Sequence, residues 1–200
     1  MDPMPIRFDE QGLVACVMQD ARTGEVLTLA YMNDEALART RETGEMHFWS
    51  RSRGELWRKG ETSGNTMRLR GLRYDCDEDA LVALVDPAGP ACHTGERTCF
   101  HRGDMEWRAF EALPGLERTI AERRNADPRA SYTAELLADL PRIGEKVREE
   151  AEEVTRAAAG ESAERLAEEA ADVLYHLSVL MASRGMSLAD AYEVLNRRRA

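Results

Sequence analysis

Residues 74–100, YDCDEDALVALVDPAGPACHTGERTCF, hold three of the four cysteines of the chain, Cys76, Cys92 and Cys99. His93 adjoins one of them, and Asp75, Asp77 and Asp79 surround another. Fifteen and six residues separate the three cysteines, which is not the paired C-x₂-C spacing of a zinc finger. Other arrangements therefore compete: burial as small hydrophobes, a Cys92–Cys99 disulfide, or a closed zinc site completed by His93 or His101. Cys16, inside the apolar LVACVM, reads as core packing. The other three sit among Asp, Pro, Gly, His and Thr, and clustered thiols in a reducing cytosol point to metal. Three thiolates with no fourth protein ligand leave one tetrahedral position for water, whose pKa zinc lowers toward neutrality. Nucleobase deaminases use such a centre to attack a ring carbon next to nitrogen. His93 is placed either to shuttle the proton or to act as a further ligand.

The three aspartates need a separate account. On an extended chain alternate residues share a face, so their carboxylates are expected to converge. Oxygen-only clusters suit Mg²⁺, which bridges carboxylates to substrate phosphates; an acidic, solvated strand end is the competing explanation. Upstream, SRSRGELWRKGETSGN (50–65) reads as a loop whose N–H groups and cations hold a phosphate. Its candidate substrate contacts are Arg51, Trp57, Lys59, Thr62 and Ser63. In the second half, Glu150 and Glu153 are three apart, as are Glu169 and Asp172. Each pair therefore shares one helix face and can grip a cation. Mg²⁺ between two such helices suits triphosphate hydrolysis, with Glu150 and Glu153 as candidate catalytic groups. A solvated Glu-rich face, with Lys146 paired to Glu150, competes with that reading. His176 falls on the same side, where a lone histidine is ordinarily structural.

The elements that must position these groups fall into two textures. Residues 1–103 carry ten of the fourteen glycines and every cysteine, whereas the remainder is rich in Ala, Glu, Leu and Arg. A boundary is expected near 102–116, with Pro114-Gly115 as breaker, giving units 1–105 and 106–200. The fold class is α+β: a β-rich zinc domain with one helix, then an all-α helical-hairpin domain. Strands are expected at 13–20 and 25–32 as a hairpin, and at 45–50, 65–75 and 80–86. Asn33 caps a helix over DEALARTRET, with Gly44 as its stop. Helices are expected at 116–125, 134–140, 142–159, 162–184 and 188–198, with stops at Gly160 and Gly185 and a capping box over Ser187–Asp190. Val147, Ala151 and Val154 of one helix, and Val173, Leu174, Leu177 and Leu180 of the other, are expected to face inward.

With 200 residues, 43% of them hydrophobic, the chain has material for real cores. A net charge of −10 without a basic arm disfavours general nucleic-acid or membrane binding. The acidic, proline-broken MDPMPIRFDEQG does not read as a secretory signal, so a cytoplasmic location is expected.

LWRKGETSGN, YDCDEDAL and ACHTGERTCF, in that order, make residues 8–103 resemble phosphoribosyl-AMP cyclohydrolase of histidine biosynthesis. The resemblance implies zinc on Cys76, Cys92 and Cys99, magnesium on Asp75, Asp77 and Asp79, and hydrolytic opening of the purine ring between N1 and C6. It also implies a homodimer with zinc ligands from both subunits. KVREEAEEV and EEAADVLYHLSVLM resemble phosphoribosyl-ATP pyrophosphatase, an all-α relative of the nucleoside-triphosphate pyrophosphohydrolases; RNADPRASYTAELL looks like its entry segment. Carried over, Glu150, Glu153, Glu169 and Asp172 bind magnesium. Together the resemblances imply a bifunctional enzyme acting on phosphoribosyl-ATP and then phosphoribosyl-AMP. A cyclohydrolase fused to a general nucleotide pyrophosphatase, and a structural zinc module with a helical dimerisation domain, are the alternatives.

Overall fold

The computed structural model describes residues 5–104, 106 and 108–199. Residues 1–4, within the segment read for a signal, lie outside the described residues, as do Met105 and Trp107 at the expected boundary. The chain divides after residue 106 into two compact units.

In the first unit, β1 (Val14–Asp20) and β2 (Val26–Met32) pair antiparallel across a short turn. Asp20 shapes that turn: its Oδ1 accepts from the N–H of Arg22 and Thr23, and Gly24 adopts φ +77. Helix α1 (Asp34–Thr43) follows, with the Asn33 side chain accepting from Ala36 N at 2.8 Å and Gly44 closing it at φ +71. Such a cap contributes about 1 kcal/mol. β3 (His47–Ser50) and β4 (Glu55–Arg58) form a separate two-stranded sheet. The segment 50–65 is therefore not one long loop, because ELWR is a strand held by its partner HFWS. β5 (Met67–Tyr74) and β6 (Ala80–Pro87) complete a four-stranded sheet of order β2-β1-β6-β5, in which β1 and β6 run parallel. Alternate residues of β1 (Val14, Cys16, Met18) and of β6 (Leu81, Ala83, Val85) point into one core with Phe48, Met32 and Leu37.

The second unit is helical. After a 3-10 turn at Ala109–Glu111 come α2 (Ala112–Arg123), α3 (Tyr132–Ala138), α4 (Leu140–Gly160), α5 (Ala163–Ser183) and α6 (Leu188–Arg197). Pro114-Gly115 lies in the first turn of α2 rather than breaking the chain, a place where proline's missing N–H leaves no helical bond unmade. Gly160 is the last residue of α4, Gly185 is left-handed after α5, and the capping box of Ser187 and Asp190 is formed. α4 and α5 fold back as a hairpin over a core of Ile120, Leu136, Ile143 and Val179. The buried stripe differs from the expected one. On α4 it is Ile143, Glu150 and Ala157, and on α5 Glu169, His176, Ser178 and Val179. Ala151 is exposed and Leu174 is 41% exposed, while Val147, Val154, Val173, Leu177 and Leu180 are half-buried. Both helices are rotated so that carboxylates, not only aliphatics, face the partner helix. No helix is long and apolar enough to cross a membrane among the described residues.

Candidate active sites

In the first unit, residues 88–103 form a loop laid against β2. Cys99 N–H donates to Leu27 O at 2.8 Å and the Thr98 hydroxyl to Val26 O at 2.8 Å. Arg97 anchors it from below: its Nη2 lies 2.6 Å from Asp20 Oδ2, and its Nε donates to Glu25 Oε2 at 2.8 Å. Ala91 N–H donates to Arg97 O and Cys92 N–H to Glu96 O, which closes the loop between its two cysteines. All four cysteines are free thiols, so the Cys92–Cys99 disulfide is not formed. The Cys92 and Cys99 thiols are near enough to influence each other's titration. The Thr94 hydroxyl, donating to Cys92 Sγ at 3.1 Å, lowers the Cys92 pKa below that of an ordinary thiol. Desolvation raises that of Cys99, against help from Thr28 and the nearby Lys59. His93, exposed, has Nδ1 3.9 Å from Cys92 Sγ, and His101 is held by Thr98 O instead. Cys16 is fully buried, its pKa pushed up to about 12. Cys76 is exposed in the β5–β6 turn. Among the described residues, no cluster of three or more ligand-type side chains with ligand atoms within 4.8 Å includes a cysteine. The chain thus brings Cys92, Cys99, His93 and Lys59 together and leaves Cys76 apart.

Asp75, Asp77 and Asp79 do converge, with ligand atoms within 4.8 Å of one another. They do so on a turn, not on the extended face expected: β5 ends at Tyr74, β6 begins at Ala80, and Glu78 takes a left-handed φ of 70. Asp75 Oδ1 accepts from the N–H of Asp79 and Ala80 at 3.0 and 3.1 Å. Desolvation opposes them, yet these donors hold its carboxyl below the usual carboxylate range. The charge of Asp77, then desolvation and Asp75, push Asp79 up. Three carboxylates this close repel unless a cation or proton joins them. Among the candidate substrate contacts, Arg51 and Trp57 line one recess beside Trp49 and Tyr31. Lys59 donates to Ala91 O beside the cysteine loop, and Thr62 and Ser63 are exposed on the β4–β5 turn.

In the second unit, Glu150, Glu169 and Asp172 bring ligand atoms within 4.8 Å of one another. Glu153 lies close enough to Glu169 for their charges to interact and is ion-paired to Arg156, whose donation lowers its pKa. Glu169 is 2% exposed, and its Oε1 finds no well-directed hydrogen bond, only ionic contact with Arg165. Desolvation raises its pKa; Arg165 opposes, while Glu153 and Glu150 reinforce the rise. Lys146 pairs with Glu149 at 2.8 Å and approaches Glu150 at 3.6 Å. A buried carboxylate without full partners costs stability unless something else satisfies it, and a divalent cation does so with the donor set present. The residues thus fit Mg²⁺.

Several neighbours complete the surroundings of these groups; of them the sequence placed His176, on the side of Glu169 and Asp172 and as a structural residue. His176 is buried, its Nδ1 2.9 Å from Asp172 O and 3.8 Å from Glu150 Oε1. Its Nε2 lies 3.4 Å from the Tyr132 hydroxyl, and Tyr175 stands edge-on to it. Tyr132 falls in the family-like entry segment, which was its only signal. Asp20, Glu25 and Arg97 gave none, being ordinary charges far apart in sequence.

Residues 28–101 match the family model described as Phosphoribosyl-AMP cyclohydrolase, and residues 113–199 the one described as Phosphoribosyl-ATP pyrophosphohydrolase. Close relatives run nearly the full length. The chain is 50% identical to the "Histidine biosynthesis bifunctional protein HisIE" of Bacillus subtilis, over 96% of this chain and 94% of that one. It is 51% identical to the protein of that name from Thermus thermophilus (98% and 92%) and 48% to that of Photobacterium profundum (94% and 92%).

Proposed function

Because this chain belongs to the bifunctional histidine-biosynthesis family that joins a phosphoribosyl-AMP cyclohydrolase to a phosphoribosyl-ATP pyrophosphohydrolase, we propose that its ligand-type side chains make two reaction centres, one in each unit: the cysteine loop with the three aspartates, and the helical carboxylates. The enzyme is a hydrolase in both halves. Its two steps run opposite to the order along the chain: residues 106–200 release pyrophosphate from phosphoribosyl-ATP, and residues 1–105 then open the adenine ring of phosphoribosyl-AMP between N1 and C6.

In the helical unit, Glu150, Glu153, Glu169 and Asp172 hold Mg²⁺. Bound there, the cation withdraws charge from the phosphates and orients the attacking water. The observation that supports this assignment is the buried Glu169 carboxylate, set among Glu150, Glu153 and Asp172, whose Oε1 has no directed hydrogen bond among the described residues and one ionic contact, to Arg165. Arg156 and Arg165 balance the acids from the rim. In the β-rich unit, Cys92 and Cys99 supply two zinc ligands and Cys76 of a second copy the third, which makes the enzyme a homodimer. Zinc at that position supplies a Lewis acid that activates water at neutral pH. Thr94 favours the Cys92 thiolate that a metal needs, and His93, within reach of that sulfur, carries protons to and from the ring. Asp75, Asp77 and Asp79 hold a second Mg²⁺ that anchors a substrate phosphate, with Arg51, Trp57, Lys59, Thr62 and Ser63 completing the substrate's contacts. The location is cytoplasmic.

The test is incubation with phosphoribosyl-ATP, following pyrophosphate and purine absorbance together. Pyrophosphate is expected first and the ring-opening absorbance change second. Faster turnover of dATP or dCTP would assign the helical half to general nucleotide hydrolysis.

A further inference from the structure

Phosphoribosyl-AMP has two phosphate monoesters, one on each ribose, on opposite sides of the base. A single cation on Asp75, Asp77 and Asp79 answers to one of them. The other needs positive charge of the protein's own, on a chain whose net charge is −10.

The β3–β4 hairpin offers a place for it. An open recess of about 400 Å³ is walled by the indoles of Trp49 and Trp57, with Tyr31 at its side and Ser50, Arg51 and Ser52 at its lip. The Arg51 guanidinium carbon stacks 3.7 Å from the Tyr31 ring centroid. Stacking fixes the guanidinium plane and leaves its N–H edge free for a bidentate acceptor. The neighbouring arginines are committed: Arg53 pairs with Glu55 at 3.1 Å and Arg58 with Glu45 at 2.5 Å. Among the described residues, no carboxylate pairs with Arg51. Ser50 and Ser52 hydroxyls lie 3.4 Å apart beside it, and the indoles match the apolar face of a sugar. Tyr31 also lines a second recess, with Arg7 and Asp79. It therefore stands between the aspartate cluster and the Arg51 lip.

We propose that this recess binds the second, metal-free phosphate of the substrate, a sugar 5-phosphate dianion, with Arg51 as its clamp and Tyr31 as the stage that holds the clamp. The substrate lies across Tyr31, one phosphate at the aspartates and the other at the hairpin. This rests on the cyclohydrolase reading of the β-rich unit, with its cation on the aspartates.

The experiment titrates the full chain with ribose 5-phosphate, without added magnesium, reading indole fluorescence. Ribose and inorganic phosphate serve as comparison probes. A saturable change is expected with ribose 5-phosphate, weaker with inorganic phosphate and absent with ribose. Arg51→Met should weaken it about tenfold or more, the scale of a charge-assisted bidentate contact. Arg51→Lys should fall between, and Tyr31→Leu should cost about threefold. Asp77→Ala should leave it unchanged. With phosphoribosyl-AMP, Arg51→Met should raise KM by a similar factor at nearly constant kcat, the mark of uniform binding. Binding that requires magnesium and disappears in Asp77→Ala overturns the proposal, as does a loss of kcat without a rise in KM, or no saturable binding to the unmodified chain. Absence of ring opening despite Arg51-dependent binding would instead overturn the cyclohydrolase reading and leave the phosphate site standing. Because Arg51 is exposed, folding of its variants is checked by near-UV circular dichroism against the unmodified chain.

Discussion

Replacing Arg97 with Met tests how the cysteine loop is held. Asp20 is 5% exposed and Arg97 33%, and Arg97 Nη2 sits 2.6 Å from Asp20 Oδ2. Removing one partner of a fully buried pair costs about 3–5 kcal/mol, because a charge stays buried without compensation. Two features reduce that figure. Arg97 keeps partial contact with water, and Asp20 Oδ1 still accepts from Arg22 and Thr23 N–H. A loss of about 2–3 kcal/mol is the resulting expectation. In a unit of roughly a hundred residues that lowers Tm by about 10–20 °C. The assay is urea and thermal unfolding of the metal-stripped chain, so that zinc binding does not mask the difference. Arg97→Met combined with Asp20→Asn should recover part of the loss, since one of the two stranded charges is gone and only that of Glu25 remains. Because the backbone of Arg97 and Glu96 ties down Ala91 and Cys92, chelator competition should also show zinc held about tenfold less tightly. A destabilisation below about 0.5 kcal/mol, the size of an ordinary surface change, would refute the claim that this ion cluster organises the loop.

Other expectations concern the two centres. Cys92→Ser should abolish ring opening and leave pyrophosphate release intact, while Glu169→Ala should do the reverse; loss of both activities from either variant would refute independent sites. Elemental analysis should find about one zinc per chain, removed together with ring-opening activity by a chelator. The Glu169 carboxyl titrates above its unfolded value, so the folded state keeps a proton that the unfolded state has released. Stability of the magnesium-free protein should therefore be complete below the ordinary glutamate range and fall as pH rises through the raised value. Glu169→Gln should flatten that fall, and parallel pH profiles for the two proteins would refute the assignment. A chain ending near residue 106 should retain ring opening; an insoluble fragment would show that the units depend on each other.

The chemistry was easier to read in the sequence than the geometry that presents it. Cysteine and aspartate clusters stand out because no apolar core selects them, and both caps of α1 were legible because Asn33 and Gly44 have conformations few other residues prefer. β4 was hidden in a segment read as a loop, since four residues between Gly54 and Gly60 carry too little alternation of their own; β3 supplies the missing pairing. The facing of α4 and α5 was misjudged for a different reason. A hydrophobic stripe assumes that carboxylates point to water, yet Glu150 and Glu169 sit in the interior, with Lys146 and Arg165 as their basic partners. Ala151 and Leu174 were displaced outward as a result. The convergence of Asp75, Asp77 and Asp79 was foreseen from strand alternation but is produced by a turn, which no periodicity announces. Arg97 and Asp20, seventy-seven residues apart, meet because the cysteine loop lies against β2, whose turn from β1 carries Asp20.

The isolation of Cys76 from the paired thiols has a consequence for mixtures of defective chains. If each zinc draws sulfur from two copies, a Cys76→Ser protein and a Cys92→Ser protein, each inactive alone, complement each other after subunit exchange. A mixed dimer then holds one intact centre and one with two lesions, so equal mixing restores about a quarter of the parental rate.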